Sequence, residues 1–437
     1  MKNYFKYFTQ QLLRSELLKS ASILITGTVL AQAISILLQP FLRRYFSPEV
    51  FGTFSVYLSF VGIILIFSSF RYDDAIVLPR KDKDSANLLF LSISINFTVN
   101  LLLILVVSIW GRDLLRILNI SESFSVAILY LIPISAFLYS TYQSFNYWLI
   151  RKKRYMAVSV NKMTRRGIEG ISQVIFAFLR DIKGLVYGDI IGQLSNNIVV
   201  IYQSVKNEFR LKDISYNKMR YVLIKYSEFP KYNLIPALMS ACSYLLPVVF
   251  INKYYSSVNA GYFDLSKLLL SIPLAFVATA VSNVLLQRIS EKYQQNKSLL
   301  GDIKPLILVI AMIVFFEIII ILLFGVNLFK FVFGQNWGYS GEISKILVWS
   351  FALNFIVSSF SAVFIAMRKI KLYSIWQFFY FCAIIFLFTI KNLSFTGFLK
   401  IYVGIEVVCY IAAIIMISII IIRYESILSQ KSIHSGI

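Results

Sequence analysis

The sequence predicts an all-α integral membrane protein, with about twelve transmembrane helices in two six-helix bundles. Three observations carry this prediction: an apolar composition, a run of long apolar segments and an internal repeat. Of the 437 residues, 58% are hydrophobic and only 15% are charged, and the mean hydropathy is +0.73. Soluble proteins have about 45–50% apolar residues, so a chain of this composition requires lipid around it.

Apolar segments long enough to cross a bilayer follow one another along the whole chain. A spanning helix needs about 20 predominantly apolar residues. The fifth segment is the most polar, because Arg165, Arg166 and Glu169 crowd its start. The sixth has glycines at 184, 188 and 192, a spacing typical of close helix packing. We place the spans at residues 21–42, 51–70, 86–110, 124–150, 164–180, 184–204, 232–252, 261–287, 305–326, 340–367, 372–390 and 396–422.

The net charge of +22 comes mainly from basic residues between these segments. Lys and Arg are abundant in the N-terminal segment and in every second loop, and they are scarce in the alternate loops. By the positive-inside rule, both termini then lie in the cytoplasm. Topology and anionic lipid headgroups explain the charge. No soluble domain offers a basic and aromatic strip, so a nucleic-acid partner is not expected.

Two stretches of the chain resemble each other at an offset of about 209 positions. They are RRYFSPEVFGTFSVYL at 43–58 and NKYYSSVNAGYFDLSK at 252–267, and they align Ser47 with Ser256. Each copy follows one apolar segment and opens another, which indicates descent by duplication. Because each half has six spans, both halves insert in the same orientation and form a parallel pseudo-two-fold repeat.

The repeat divides the chain into two predicted lobes. We expect an N-terminal lobe at residues 1–210, with helices 1 to 6, and a C-terminal lobe at residues 211–437, with helices 7 to 12. A basic cytoplasmic linker at about 205–231 joins them. Two lobes of this kind favour a central cavity.

Polar residues recur at helical spacing within five spans, although polar groups without partners are costly in lipid. Steps of three or four residues place each set on one helix face. Interhelical hydrogen bonds and the lining of a hydrated cavity both explain any single stripe. Five stripes in one bundle favour a hydrated interior. The candidates for contact with a substrate are Gln32, Asn96, Gln143, Asn283 and Asn354.

Ionisable residues within the spans mark further candidate sites, because charges near mid-membrane cost roughly 2.5–3.5 kcal/mol on insertion scales. Asp264 and Lys267 are three residues apart, so they either neutralise each other or act on a coupling ion and an anionic substrate. Glu317 lies alone in an apolar stretch and is the second ion-coupling candidate. Glu406 is similar to Glu317 but lies in a terminal helix that is expected to pack at the periphery. Arg71 ends the second span, where its planar guanidinium suits either a phosphate or a cytoplasmic boundary.

The sequence lacks the motifs of several enzyme classes. The P-loop pattern G-x-x-x-x-G-K-[ST], the nucleophile elbow and H-E-x-x-H are all absent. Cys242, Cys382 and Cys409 have no metal-ligand spacing, and His434, the only histidine, lies in the C-terminal tail. A metal, a cofactor and enzymatic activity are therefore not expected.

The first half of the chain resembles a known family. ITGTVLAQAISILLQPFLRRYFSPEVFGTFSVYLSF and SSFRYDDAIVLPRKDKDSANLL are similar to the opening of the oligosaccharide (polysaccharide-unit) flippases, which belong to the multidrug/oligosaccharidyl-lipid/polysaccharide exporter (MOP) superfamily. The resemblance implies two six-helix bundles that open alternately to each side of the bacterial inner membrane.

The same resemblance implies a substrate, partners and site residues. The substrate is an undecaprenyl-pyrophosphate-linked oligosaccharide, moved from the cytoplasmic to the periplasmic leaflet for O-antigen (lipopolysaccharide), capsule or exopolysaccharide synthesis. Membrane lipids, a polysaccharide polymerase and a chain-length regulator are the implied partners, and H⁺ or Na⁺ is the candidate coupling ion. Relatives hold the pyrophosphate with basic cavity residues, a role that Arg71 and Lys267 would take here.

Other functions compete with this one. A cation-coupled multidrug antiporter of the same fold would favour an acidic and aromatic cavity, whereas the stripes are mainly amides and hydroxyls. A membrane polysaccharide polymerase or ligase would have a large external loop with arginines, whereas the predicted external loops are short. A purely structural partner in a polysaccharide assembly complex has no positive sign in the sequence.

Overall fold

Long helices follow one another through the chain, as the run of apolar segments predicts. The computed structural model describes residues 16–119, 127–390 and 392–434, and no strand occurs among them. The protein is a multi-pass membrane protein. Seven of the described helical segments are long and apolar enough to cross a membrane: Pro48–Ser68, Asp82–Arg116, Phe229–Tyr254, Leu300–Phe333, Gln335–Ala366, Ile370–Thr389 and Phe395–Gln430.

Six long helices form the first part of the chain. They are α1 (Glu16–Tyr45), α2 (Pro48–Ser68), α3 (Asp82–Leu118), α4 (Ala127–Arg151), α5 (Tyr155–Phe178) and α6 (Gly184–Lys206). A 3₁₀ helix, Tyr72–Val77, connects α2 to α3. After α6 come a 3₁₀ turn at Leu211–Asp213, the short helix α7 (Tyr216–Lys225) and a π-helical turn at Phe229–Asn233.

The second part begins with α8 (Leu234–Tyr254) and continues with α9 (Ser257–Leu270), α10 (Thr279–Gln294), α11 (Leu300–Phe333), α12 (Gly338–Phe360), α13 (Ala362–Ala366), α14 (Ile370–Phe386) and α15 (Phe395–His434). A π-helical turn, Leu274–Ala278, joins α9 to α10, and α13 continues α12 almost without a break. Short 3₁₀ helices lie at Gln335–Trp337 and Leu387–Thr389. When α9 and α10 are counted as one helix, and α12 and α13 as another, the described residues hold one long helix for each of the twelve predicted spans.

The two copies of the internal repeat begin corresponding helices. The Ser47 hydroxyl accepts a hydrogen bond from the backbone N–H of Val50 at 3.4 Å, at the start of α2. The Ser256 hydroxyl accepts one from the backbone N–H of Asn259 at 3.1 Å, at the start of α9. A serine in this position satisfies a backbone donor that the first turn of a helix leaves unpaired. The aligned serines therefore have the same structural role, as duplication predicts.

The chain forms two compact units, Met1–Ala241 and Cys242–Ile437. Their boundary lies within α8, beyond the predicted end of the N-terminal lobe, because the basic linker packs on the first unit. Val222 of α7 is fully buried, and the hydroxyl of Tyr72 donates to the backbone carbonyl of Leu223 at 2.9 Å. The linker is thus an ordered part of the first unit.

Helices α5 and α6 approach each other closely along the glycine face of α6. A Cβ atom added to Gly188 would overlap Cγ of Gln173, and one added to Gly192 would lie 2.8 Å from Cβ of Glu169. Small residues allow helix backbones to approach in this way. The prediction of a close-packing glycine face is confirmed, and the contact holds the polar side of α5 against α6.

Replacement of Gly192 by Val is expected to push α5 away from α6, because the new side chain has no room. Overpacking of this kind destabilises by about 1–3 kcal/mol, which the apparent melting temperature of the protein in nanodiscs will report. Gly167→Val is the matched control, since a Cβ at Gly167 of α5 meets nothing within 4 Å. Equal melting temperatures for the two variants would contradict the close approach.

Candidate functional site

A polar chamber of about 430 Å³ lies within the first unit, between α1, α4 and α5. None of these three helices is among the seven that are apolar enough to be recognised as spans. Ala31 and Ile150 supply its apolar wall. The rest of the wall consists of side chains with hydrogen-bonding or charged groups: Thr28, Gln32, Tyr139, Tyr142, Gln143, Asn146, Tyr147, Lys162, Arg165 and Arg166.

The polar stripes of the first and fourth spans meet in this chamber. Gln32 of α1 and Gln143 of α4, both predicted substrate-binding residues, line it together. Asn146 lies three residues beyond Gln143, and its Oδ1 atom is buried with no hydrogen-bond partner in the described part of the chain. Buried polar atoms are usually paired, so this oxygen is available to a water molecule or a ligand.

The stripe of the third span has a structural role instead. Asn96 is only 1% exposed, and its amide donates to the carbonyl of Phe137 at 3.0 Å and to the hydroxyl of Thr141 at 3.2 Å. These bonds join α3 to α4 and use the donor side of the amide. Asn96 does not line the chamber, and its contact with a substrate stays a prediction.

A buried ion pair joins α5 to α6 behind the chamber wall. Nη2 of Arg165 lies 3.3 Å from Oδ1 of Asp189, and the Arg165 guanidinium carbon lies 4.5 Å from the centre of the Tyr139 ring. Asp189 is 1% exposed and accepts hydrogen bonds from Tyr57, at 3.1 Å, and from Gln193, at 2.7 Å. A buried charge requires such partners. The network holds the Arg165 side chain in place at the chamber.

Two more cations project from the same turn of α5. Nη1 of Arg166 donates to both carboxylate oxygens of Glu169, at 3.0 and 2.9 Å. Nζ of Lys162 donates to the hydroxyl of Thr28 at 2.9 Å, and no carboxylate of the described residues lies within ion-pair distance of it. Nε of Arg165 is buried and makes no hydrogen bond to the described residues. The chamber therefore offers one uncompensated ammonium and spare guanidinium donors, which suit an anion.

Sequence reasoning missed these three basic residues as parts of a site. The sequence alone shows Arg165 and Arg166 as the polar start of the fifth span, and Lys162 falls just before that span, in a predicted cytoplasmic loop. The available signal was their spacing, because positions i, i+3 and i+4 share one helix face. That face of α5 points to the polar stripes of α1 and α4.

Arg71, a predicted phosphate ligand, is connected to the chamber indirectly. Its Nη2 atom lies 2.6 Å from Oδ2 of Asp74, and Asp74 also accepts a hydrogen bond at 2.8 Å from Tyr147, a chamber residue. Beside this pair, burial raises the pKa of the Asp73 carboxyl, whereas the hydrogen bond from the Ser69 hydroxyl at 2.6 Å acts to lower it. Arg71 therefore supports the rim of the chamber through Asp74.

Lys267 and Asp264 lie together in a polar cluster of the second unit. The Lys267 ammonium donates to the backbone carbonyl of Tyr244 and lies 3.3 Å from the centre of its ring. Asp264 and Glu406 both interact electrostatically with this ammonium. Glu406 is 5% exposed and accepts hydrogen bonds from two tyrosine hydroxyls, so its side chain is buried against neighbouring helices.

The other predicted residues of the second unit lie apart from one another. Asn283 is exposed on α10, and Asn354 accepts a hydrogen bond from Ser358 of its own helix at 2.9 Å. Glu317 is half-buried on α11. Among the described residues, no hydrogen bond or ion pair joins any two of Asn283, Asn354 and Glu317. Their roles in substrate binding and ion coupling stay predictions.

Replacement of Asp189 by Ala is expected to lower the free energy of unfolding by about 3–5 kcal/mol, because it leaves the Arg165 guanidinium buried without its carboxylate. Thermal unfolding in nanodiscs measures this effect. The control is Glu342→Ala, which removes an exposed partner 3.3 Å from Lys345. Exposed pairs contribute about 1 kcal/mol or less. A loss of stability no larger than that of the control would show that the buried pair does not hold α5 to α6.

A family model described as "Polysaccharide biosynthesis protein" matches residues 41–342. The match begins in α1 and ends in α12, so it includes the chamber residues of α4 and α5, whereas Thr28, Ala31 and Gln32 of α1 lie before it. No curated protein sequence matches the chain significantly.

Solved membrane-transporter structures share the fold. An inward-facing multidrug resistance MATE family transporter of the MOP superfamily has a TM-score of 0.69 at 16% identity, covering 93% of this chain and 99% of its own. The lipid II flippase MurJ, in an inward closed conformation, has a TM-score of 0.67 at 14% identity. The alignment covers 91% of this chain and 87% of MurJ. A MOP superfamily transporter from Pyrococcus furiosus has a TM-score of 0.59 at 15% identity. The alignment covers 95% of this chain and 98% of that transporter. At these identities the likeness shows the fold alone, and it confirms the predicted fold class.

Proposed function

We propose, because this chain belongs to the polysaccharide biosynthesis protein family and has the fold of MOP superfamily transporters, that it is a flippase for a lipid-linked oligosaccharide. The substrate is an undecaprenyl-pyrophosphate-linked oligosaccharide unit, moved from the cytoplasmic to the periplasmic leaflet of the bacterial inner membrane. It serves O-antigen, capsule or exopolysaccharide synthesis. The observation that carries this proposal is a chamber whose wall combines three cations with amides and phenols.

The cations suit the pyrophosphate group of such a substrate. Arginine guanidinium groups present planar donors that match phosphate oxygens, and charge-assisted hydrogen bonds are the stronger ones. Lys162 has no carboxylate partner in the described residues, so its charge is available to the substrate. Arg165 and Arg166 retain donors beyond those that their carboxylates use, and the buried Nε of Arg165 lacks a partner.

The remainder of the wall suits sugar hydroxyls. Gln32, Gln143 and Asn146 offer both donors and acceptors, and three tyrosines add phenol hydroxyls and amphipathic rings. The volume of about 430 Å³ lies in the range of small-molecule sites, roughly 300–1,000 Å³. A site of this size takes the head group, while the long prenyl chain stays in lipid.

The chamber lies beside the α4–α5 connection, whose Arg151, Lys152, Lys153 and Arg154 assign it to the cytoplasm by the positive-inside rule. Loading from the cytoplasmic leaflet follows from this position. Alternating access then exposes the chamber to the periplasmic side, where a polymerase and a chain-length regulator receive the unit. Arg71 positions the rim through Asp74, and Lys267 is a second candidate phosphate ligand.

A cation-coupled multidrug antiporter is the competing proposal. The tyrosines of the chamber and the fold shared with a MATE transporter favour it. The charge of the wall opposes it, because an unpaired ammonium at Lys162 repels a cationic drug. A polymerase or ligase receives no comparable support from the fold.

The test uses Lys162→Gln, which removes the uncompensated charge and retains hydrogen bonding to Thr28. Losing one hydrogen bond to a charged group costs about 1.5–3 kcal/mol, so transport at low substrate concentration is expected to fall roughly 10- to 100-fold. The assay follows a fluorescent undecaprenyl-pyrophosphate-linked disaccharide in proteoliposomes, with a membrane-impermeant quencher that reports the leaflet.

Lys206→Gln is the matched control, because Lys206 is exposed at the end of α6, outside the chamber. It should transport at the wild-type rate. A disaccharide on neutral prenol should move poorly in every variant, since it lacks the pyrophosphate. Wild-type rates in Lys162→Gln would refute the role of the Lys162 charge, and transport of ethidium in place of the lipid would refute the flippase assignment.

A further inference from the structure

A buried carboxylate lies at the centre of an aromatic cluster in the second unit. Glu406 of α15 is 5% exposed, and its Oε1 atom accepts hydrogen bonds from Tyr402, at 2.8 Å, and from Tyr380 of α14, at 2.9 Å. The Tyr380 hydroxyl also lies 3.3 Å from that of Tyr410. Trp376 stacks on the Tyr380 ring, with centres 5.4 Å apart and planes 9° from parallel. Aromatic rings thus separate the carboxylate from lipid.

Five helices of the second unit contribute to this cluster. Ser350 of α12 is a further hydrogen-bonding group beside the carboxylate. Lys267 is a cation that acts electrostatically on Glu406. The titratable and charged groups that face Glu406 are Tyr244 of α8, Asp264 and Lys267 of α9, Tyr380 of α14, and Tyr402, Cys409 and Tyr410 of α15.

The carboxylate is not neutralised by direct contact with a base. No basic group of the described residues lies within ion-pair distance of Glu406, and Lys267 instead contacts the carbonyl and ring of Tyr244. Neutral phenols therefore supply the direct contacts of the carboxylate oxygen. Ionisable residues at such depth in a membrane protein are costly and usually belong to ion or proton pathways.

We propose that Glu406 is a proton-binding site that couples transport to the proton gradient. The carboxylate takes a proton from water on one side of the membrane, forming an O–H bond, and releases it to water on the other side. The identity of the transported substrate in this inference rests on the proposed function. Proton binding at Glu406 does not depend on that function. It replaces Asp264 and Glu317 as the leading candidate for ion coupling.

The donor set favours a proton over Na⁺. Sodium binds oxygen lone pairs, whereas both tyrosine hydroxyls donate their hydrogens to Oε1.

Protonation would change the electrostatics of Lys267. With Glu406 ionised, the ammonium has two negative groups acting on it, Asp264 and Glu406. With Glu406 neutral, only Asp264 remains, so the attraction of Lys267 for a substrate phosphate increases. Coupling between two sites needs such a difference in binding free energy, and it is reciprocal.

Infrared spectroscopy tests proton binding directly and without any substrate. The full-length protein in nanodiscs is titrated between about pH 5 and 9, and the C=O stretch of protonated carboxyl groups is recorded. A component of this band should appear as pH falls, and Glu406→Gln should abolish it. Glu342→Gln, at an exposed site, should retain it. Tyr402→Phe should move its midpoint to higher pH, because the ionised carboxylate loses a donor. A band unchanged by Glu406→Gln would overturn the proposal.

Transport of the same fluorescent lipid in proteoliposomes tests the coupling. An imposed pH gradient should accelerate wild-type flipping, and Glu406→Gln should lose this acceleration while it still flips the lipid without a gradient. Lys162→Gln should be slow in both conditions. Acceleration that persists in Glu406→Gln would overturn the coupling role. If wild type fails to move the lipid, the flippase assignment fails, and the infrared result still decides whether Glu406 binds a proton.

Discussion

The ion pair between Arg165 and Asp189 organises the polar side of the first unit. Lipid cannot hydrogen-bond to a polar group, so each charge inside a helical bundle must find its partner from another helix or from trapped water. Asp189 meets this requirement with several donors, and Arg165 meets it with Asp189 and the Tyr139 ring. The close approach of α5 and α6 at Gly188 and Gly192 makes the contact possible. The ion pair therefore stabilises a guanidinium group at the chamber wall, because lipid offers no hydrogen bonds to such a group.

Two similar polar stripes serve different purposes because of what faces them. The amides of α3 meet carbonyl and hydroxyl groups of α4 at hydrogen-bond distance, and the result is a dry, specific helix contact. The amides and phenols of α4 face α1 and α5 across a gap, and the result is a chamber. The difference depends on whether the facing helix brings partner groups within hydrogen-bond distance of the stripe.

The two units use ionisable residues in opposite ways. In the first, cations outnumber carboxylates at the chamber, so the site suits an anionic head group. In the second, a carboxylate is enclosed by tyrosines, with its nearest cation held on Tyr244. Since the units derive from a repeat, as the capping serines Ser47 and Ser256 indicate, the same helical framework has acquired two different electrostatic sites.

The sequence alone determined the twelve helices, the repeat and the family resemblance, because apolar length and turn motifs are local properties. It also identified Gln32 and Gln143, whose helical spacing marks a polar face. It did not identify Lys162, Arg165 and Arg166 as a group, and it did not predict that tyrosines enclose Glu406. Those assignments depend on which helix lies opposite, because the facing side chains determine whether a charged group is paired, enclosed or open to a cavity. Only the tertiary structure decides between a partner and a gap, because the packing distance between two helices is set by residues from both.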